Sequence, residues 1–220
     1  MSRLKLAIFD MDGTLLDTEH YMWFHTEKDG FVKLGYEVSE DFLNSFCGMN
    51  NKSISEKILK EYPNFPIDEY WKIVYAENDV FLNNEKIPVM PGAFEILDFF
   101  KEKGVICSIA TSTPRKMAEL ALRNSNLLPY FDNIISGDDI IKGKPNPEIY
   151  LKSLAYYGYD ASEAIIFEDA LAGARAAIDS GIKLIYIPNT AYVREKEKKE
   201  AYRVCNSLNE AIKIVKKLVW

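Results

Sequence analysis

Cysteine is scarce in this chain of 220 residues: there are three, Cys47, Cys107 and Cys205, odd in number and far apart. No CxxC pair and no Cys/His ligand spacing occurs, which argues against a disulfide framework and a structural zinc site. Long apolar runs are also missing, since none approaches the about 20 residues needed to span a bilayer. The first nine residues form a strand-like run with no small-residue cleavage site, so the expectation is a cytoplasmic protein with no membrane partner. Positive charge is in deficit, with 27 Lys and Arg against 33 Asp and Glu, a net charge of −6 and a pI near 5.1. That balance argues against nonspecific binding to nucleic acid or an anionic membrane. It leaves room for an anionic phosphate whose charge is met locally by a metal ion and a lysine. Repeats and low-complexity segments are absent. What the chain does have is 48% hydrophobic residues, with 13 Tyr and 12 Phe, ample to fill a core.

The apolar residues fall in short runs at 4–9, 105–110, 133–136, 164–167 and 183–187, with a weaker one at 203–205. Runs without alternation suit a parallel sheet covered on both faces. Between them the period changes to that of helices. Ala93, Ile96, Leu97 and Phe100 recur at helical spacing and Gly104 follows as a C-cap. Pro114 stands just inside a helix start with Thr113 as its N-cap. Pro147 and Leu171 open two more helices, and Leu208, Ala211, Ile212 and Val215 mark the last. Alternating strand and helix predicts an α/β fold, a Rossmann-like doubly wound parallel sheet. One stretch breaks this rhythm. From about residue 18 to 86 the patterns are helical only, with breaks near Gly35, Gly48 and Pro63 to Pro66. The expected organisation is an α/β core of residues 1–16 and 88–220 with a small all-helical cap of residues 17–87. Ligands of open α/β sheets bind at the carboxyl ends of strands, so an insert after the first strand is expected to cover the site. The charged run from Arg194 to Lys199 reads as a solvated helix face.

Chemistry concentrates at predicted strand ends. Directly after the first strand comes Phe9-Asp10-Met11-Asp12-Gly13-Thr14. Residues two apart on extended backbone project to one side, so Asp10 and Asp12 can address one substrate, and Gly13 allows a sharp turn away. Two carboxylates facing one phosphate make sense if a divalent cation neutralises them and one carboxyl is protonated in use. After the second strand Thr111, Ser112 and Thr113 offer hydroxyl and amide donors at a helix start, which suits a phosphate dianion. After the third, Lys144 stands between Gly143 and Pro145, restricted in backbone and able to aim an ammonium inward. After the fourth come Glu168 and Asp169, oxygen donors of the kind magnesium prefers.

In order and context these segments resemble the four motifs of the haloacid dehalogenase superfamily. Asp10 to Thr14 resembles the first motif, Ala110-Thr111-Ser112 the second, Lys144-Pro145 the third and Glu168-Asp169 the fourth. The helical insert is similar to the cap of the beta-phosphoglucomutase-like branch. The resemblance implies a phosphohydrolase in which Asp10 attacks phosphorus and forms an aspartyl-phosphate, with Asp12 as acid and base. It implies Mg2+ held by the Asp10 carboxylate, the Asp12 main-chain carbonyl and Asp169, with Glu168 as a direct or water-mediated ligand. Thr111, the Ser112 amide and Lys144 are then expected on the phosphoryl oxygens. The partner is a small phosphorylated metabolite, a sugar phosphate by family expectation, and the cap's opening and closing suggests a monomer.

A phosphatase is the first reading and a beta-phosphoglucomutase-type phosphomutase the alternative. Those mutases resemble this chain at Asp17-Thr18 but carry a histidine early in the cap and an arginine in a cap loop. By offset the histidine position falls on Met22, with His20 two residues earlier, and the loop offers Asn50, Asn51 and Lys52 in place of arginine. Lys52 is the cap residue expected to contact substrate, whereas His20 and His25 read as structural or solvated. A non-catalytic phosphate-ester-binding protein stands third, disfavoured by the intact set of Asp10, Asp12, Lys144 and Asp169.

Overall fold

The computed structural model describes residues 3–18, 24–46, 49–84, 86–188 and 195–218. Among these residues six strands, β1 (Leu6–Phe9), β2 (Ile106–Ala110), β3 (Asn133–Ile135), β4 (Ala164–Glu168), β5 (Lys183–Tyr186) and β6 (Arg203–Val204), form one sheet in the order β3-β2-β1-β4-β5-β6. Every pairing is parallel. β1 is buried throughout, and its side chains alternate between two cores. Ala7 and Phe9 join one core, with Ile96, Leu97, Phe100, Leu122 and Leu208. Leu6 and Ile8 join the other, with Ile149, Tyr150, Ala174 and Leu184. The first layer is covered by α5 (Ala93–Lys103), α6 (Arg115–Asn124) and α10 (Leu208–Val215), the second by α7 (Glu148–Tyr157) and α8 (Leu171–Asp179). A sheet apolar on both faces is what the non-alternating runs require.

Local signals acted largely as their chemistry dictates. Gly104 caps α5 in the left-handed conformation, and Ser207 caps α10 by accepting from the Glu210 amide. At α6 the N-cap is Pro114 instead of Thr113, because the Thr113 hydroxyl is turned toward Asp12. The run of charges at α9 (Glu195–Glu200) is not wholly solvated either: Glu197 is buried. Cys107 and Cys205 are buried free thiols, and Cys47 lies outside the described residues. Among the described residues no helix is long and apolar enough to cross a membrane.

Between β1 and α5 the chain forms helices α1 (Phe24–Lys33), α2 (Glu40–Asn44), α3 (Asn51–Glu61) and α4 (Ile67–Asn84). They enclose a core of their own, where Phe31 packs against Phe65 and Tyr70 at ring separations of 4.7 and 5.2 Å beside Ile54, Ile58 and Val74. The chain leaves and re-enters the α/β layers through two segments bonded side by side. Asp17 donates from its amide to the Pro88 carbonyl at 3.0 Å, and Met90 donates to Leu15 at 2.8 Å.

One residue of α4 departs from good packing chemistry. Asn78 is fully buried, and neither its Nδ2 nor its Oδ1 finds a hydrogen-bond partner among the described residues. Leaving such groups unpaired in a core costs about 1–3 kcal/mol. Asn78→Leu, of similar volume, is therefore expected to raise the urea midpoint of unfolding at unchanged slope.

Candidate active site

The Asp10 amide donates to the Phe167 carbonyl at 3.0 Å, so Asp10 continues β1 by one residue at the carboxyl edge of the sheet. From β1 the chain moves outward to β2 and β3, then returns on the other side with β4. The strand order therefore reverses beside β1, and a crevice at the carboxyl ends is the usual ligand position of such sheets. Asp10, Thr111 and the Glu168-Asp169 pair all lie on this edge.

Lys144 is 0% exposed, and its ammonium donates to Asp10 Oδ1 at 2.5 Å and to Glu168 Oε1 at 2.7 Å. The ring of Tyr150 lies 5.1 Å from the ammonium, and the Tyr150 hydroxyl donates to Glu168 Oε1 at 3.2 Å. Glu168 Oε2 accepts from the Ala170 amide at 2.7 Å. Burial by itself would push the Lys144 ammonium down, but Asp10 and Glu168 together hold it well above the usual lysine range. Burial drives Asp10 the opposite way for a carboxyl, well above its usual range; Lys144 resists this, while Glu168 and Asp12 add to it.

Asp169 faces the loop after β1. The Thr14 hydroxyl donates to its Oδ1 at 2.7 Å. Gly13, at φ +78°, passes so close that a Cβ there would stand 2.2 Å from Asp169 Oδ2. Both the backbone conformation and the contact demand glycine. Two buried carboxyls, Asp10 and Glu168, thus flank the buried ammonium, and a third, Asp169, is buried on the Thr14 and Gly13 side. Such a layer is short of positive charge and rich in the oxygen donors that hard divalent cations take. Among the described residues no three His, Cys, Asp or Glu side chains are arranged to hold an ion by themselves. A cation here would need main-chain or ligand oxygens as well.

Asp12 has different surroundings. Its Oδ1 accepts from the Thr18 hydroxyl at 2.6 Å, and its Oδ2 from Thr111 at 3.0 Å and Thr113 at 2.6 Å. The Thr111 oxygen also accepts the Thr113 amide at 3.1 Å. Two carboxylates two residues apart therefore sit in contrasting environments, one against an ammonium in the interior and one among hydroxyls at the rim.

Of the residues singled out from the sequence, Asp10, Lys144 and Glu168 form one cluster, Asp12 and Thr111 a second, and Asp169 joins Thr14 beside them. Ser112 is half-buried, with its carbonyl against Gly137. Lys52 is apart: it is exposed on the first turn of α3 and makes no hydrogen bond or ion pair among the described residues. His25 is exposed beside Phe24, while His20 and Met22 lie outside the described residues. Sequence reasoning missed Tyr150, whose position three residues into α7 looks like any core tyrosine. It also read Thr113 as a cap and gave Thr18 no partner. A hydroxyl's use is invisible until its neighbours are known.

Comparison with known proteins agrees with this geometry. The family model for haloacid dehalogenase-like hydrolases matches residues 7–187. The chain is 34% identical over 186 residues to a phosphorylated carbohydrates phosphatase of Thermotoga maritima, covering 83% of this chain and 84% of that one. It is 32% identical over 196 residues to a validoxylamine A 7'-phosphate phosphatase of Streptomyces hygroscopicus subsp. limoneus, covering 84% and 86%. Among solved structures, CbbY from Rhodobacter sphaeroides in complex with phosphate superposes with a TM-score of 0.82 at 25% identity, over 94% of this chain and 96% of that one. A parallel sheet with its buried carboxylate-lysine cluster, a matched family over most of the length and phosphatases among its relatives lead to one conclusion: the chain is a phosphohydrolase belonging to the haloacid dehalogenase-like hydrolase family.

Proposed function

We propose that this protein is a phosphatase that releases phosphate from a small phosphorylated sugar or polyol, with Asp10 as nucleophile and residues 17–87 acting as a cap over the site. The observation that carries this reading is the contrast between Asp10, paired with buried Lys144, and Asp12, held at the rim by three threonine hydroxyls. The relatives bearing the name phosphatase, two of them acting on carbohydrate-like phosphates by name, support hydrolysis over the mutase alternative.

In this mechanism an Asp10 oxygen attacks phosphorus as the bond from phosphorus to the ester oxygen breaks. Asp12 gives its proton to the departing oxygen. It then takes a proton from the water that attacks the aspartyl-phosphate, releasing phosphate and regenerating the Asp10 carboxylate. Lys144 keeps Asp10 oriented and offers positive charge toward phosphoryl oxygens, a task in which preorganisation counts most. Thr111 sets the position of Asp12 while its amide-side neighbour Ser112 is assigned to the phosphoryl group. Glu168 accepts hydrogen bonds from Lys144, Tyr150 and Ala170 and is assigned to holding Lys144, beside the direct or water-mediated metal contact expected from the sequence. Mg2+ fits the remaining donors: Asp10, Asp169 and the Asp12 carbonyl would hold it, and it would neutralise charge on the phosphoryl oxygens. Lys52, exposed on α3, is the cap residue assigned to substrate contact.

Phosphate release from a panel of esters, with and without magnesium, tests the proposal, with glucose 6-phosphate formation from beta-glucose 1-phosphate measured in parallel. Asp10→Asn is expected to lower magnesium-dependent release by about 10⁴-fold or more, since removing a nucleophile leaves only the residual effect of binding. Activity retained in that variant, or glucose 6-phosphate formed with no net release, would displace the phosphatase reading.

A further inference from the structure

Beside Lys144 the cap makes a tight contact with the α/β layers. Asn50, the N-cap of α3, is 8% exposed, and its Oδ1 accepts the Ser53 amide at 2.9 Å. The rest of its side chain lies on Gly143, the residue before Lys144. A Cβ built on Gly143 would stand 2.0 Å from Asn50 Nδ2, 2.4 Å from its Cγ and 3.1 Å from its Cβ. All three nearest atoms belong to Asn50. The φ of Gly143 is not in the left-handed region. Glycine is therefore required at 143 by the cap across the interface and not by its own backbone. The neighbouring Asn51 side-chain amide donates to the Tyr75 hydroxyl, whose phenol is raised by burial and, to a smaller extent, by the Asp138 carboxylate. The first turn of α3 thus rests on the residue before Lys144 and is tied to α4 through Tyr75.

We infer that Asn50 and Gly143 form the seat on which the cap closes, and that this seat selects for phosphate esters with small leaving groups. The inference rests on the phosphatase reading for its substrate and on packing alone for its geometry. With Asn50 in van der Waals contact with the Lys144 loop, no leaving group can extend between α3 and that loop. A small polyol is enclosed with Asp12, while a bulky group would have to lift the cap. The seat acts by positioning and touches no reacting atom. Proton delivery to an alkoxide needs full closure; departure of an activated phenolate does not.

Two experiments test it. In the Gly143→Ala enzyme the three atoms nearest the added methyl all belong to Asn50, so the cap is held off by the width of a methyl group. The kcat/KM for glucose 6-phosphate is expected to fall by about 10²-fold, the cost of misplacing groups by about an ångström. That for p-nitrophenyl phosphate should change by no more than about threefold. Gly143→Ala/Asn50→Gly should recover most of the loss, because glycine is a tolerated N-cap that removes the clash. Equal loss on both esters, no loss on either, or no recovery in the double variant overturns the inference. The second experiment does not depend on substrate. In a Cys47→Ser background, Asn50→Cys/Gly143→Cys places two thiols with Cβ atoms a small adjustment from the about 3.8 Å of a disulfide. Oxidation of the folded protein should form the bond, seen by mass, and stop turnover until reductant is added. A folded protein that does not form the bond has no such seat. Should the bond form while wild type and Asp10→Asn are equally inactive on both esters, the seat stands and the phosphatase reading falls.

Discussion

Asp12→Ala is expected to slow hydrolysis of alkyl phosphates by about 10²–10⁴-fold, the usual contribution of a general acid, while p-nitrophenyl phosphate loses far less. An alkoxide is a poor leaving group and departs only as it is protonated; p-nitrophenolate departs without help. In the proposed mechanism this task falls to Asp12. Its carboxyl is anchored from both oxygens by Thr18, Thr111 and Thr113, which come from the start of the helical segment and from the end of β2. It therefore bridges the two parts of the molecule at the point where they meet. Initial rates of both esters at saturating magnesium measure the effect. An equal loss on the two would remove Asp12 from proton transfer and make it a structural or metal-positioning residue. Thr113→Val is the companion variant: it takes away one donor to Asp12 and should reproduce the same ester preference in weaker form.

Lys144→Met should affect stability and activity together. The ammonium is the buried cation between Asp10 and Glu168, and breaking a buried pair by removing one partner costs about 3–5 kcal/mol. The sign of the pH dependence follows from the shifts. In the wild type the Lys144 ammonium is held above the usual lysine range, so its contribution is complete at neutral pH and is lost only as pH rises through that raised value. In the variant Asp10 loses the one group opposing its upward shift. A carboxyl with a raised folded pKa favours the fold below its unfolded value and loses that contribution as pH rises. The variant should therefore lie nearer the wild type in stability at about pH 5 than at about pH 8. Urea midpoints at both pH values, in chelator so that no metal masks the carboxylates, measure this. Turnover should fall by about 10²–10³-fold, as when an oriented electrostatic donor is removed. A stability deficit independent of pH would mean that the buried carboxyls are neutralised by some other route.

Periodicity exposed the α/β layers because each strand is buried on both faces and each covering helix on one stripe, so the pattern survives in a single sequence. The four loops carrying Asp10, Thr111, Lys144 and Asp169 were legible for the same reason: each directly follows a recognisable strand or, for Lys144, a glycine-proline restriction. Less legible was the use to which each polar group is put. Thr113 stands where a helix cap belongs, yet its hydroxyl serves Asp12 and Pro114 takes the cap position. Glu168 stands next to Asp169 in sequence, yet one faces Lys144 and the other Thr14, because adjacent residues at a strand end point to opposite sides.

The sequence by itself determined the fold class, the order of the elements and the identity of the motif residues, since these depend on short-range periodicity and on residue chemistry. Only the tertiary structure decided which motif residues meet. Lys144 and Asp10 are separated by 134 positions, and Asp169 and Thr14 by 155; their contact follows from sheet order, not from spacing. Only the tertiary structure showed that Tyr150 completes the Lys144 cage, and that Gly143 is glycine for the sake of Asn50 on the other side of the interface. Contacts of this kind depend on how two packed parts of the chain come to rest against each other, and no local pattern in either segment encodes that.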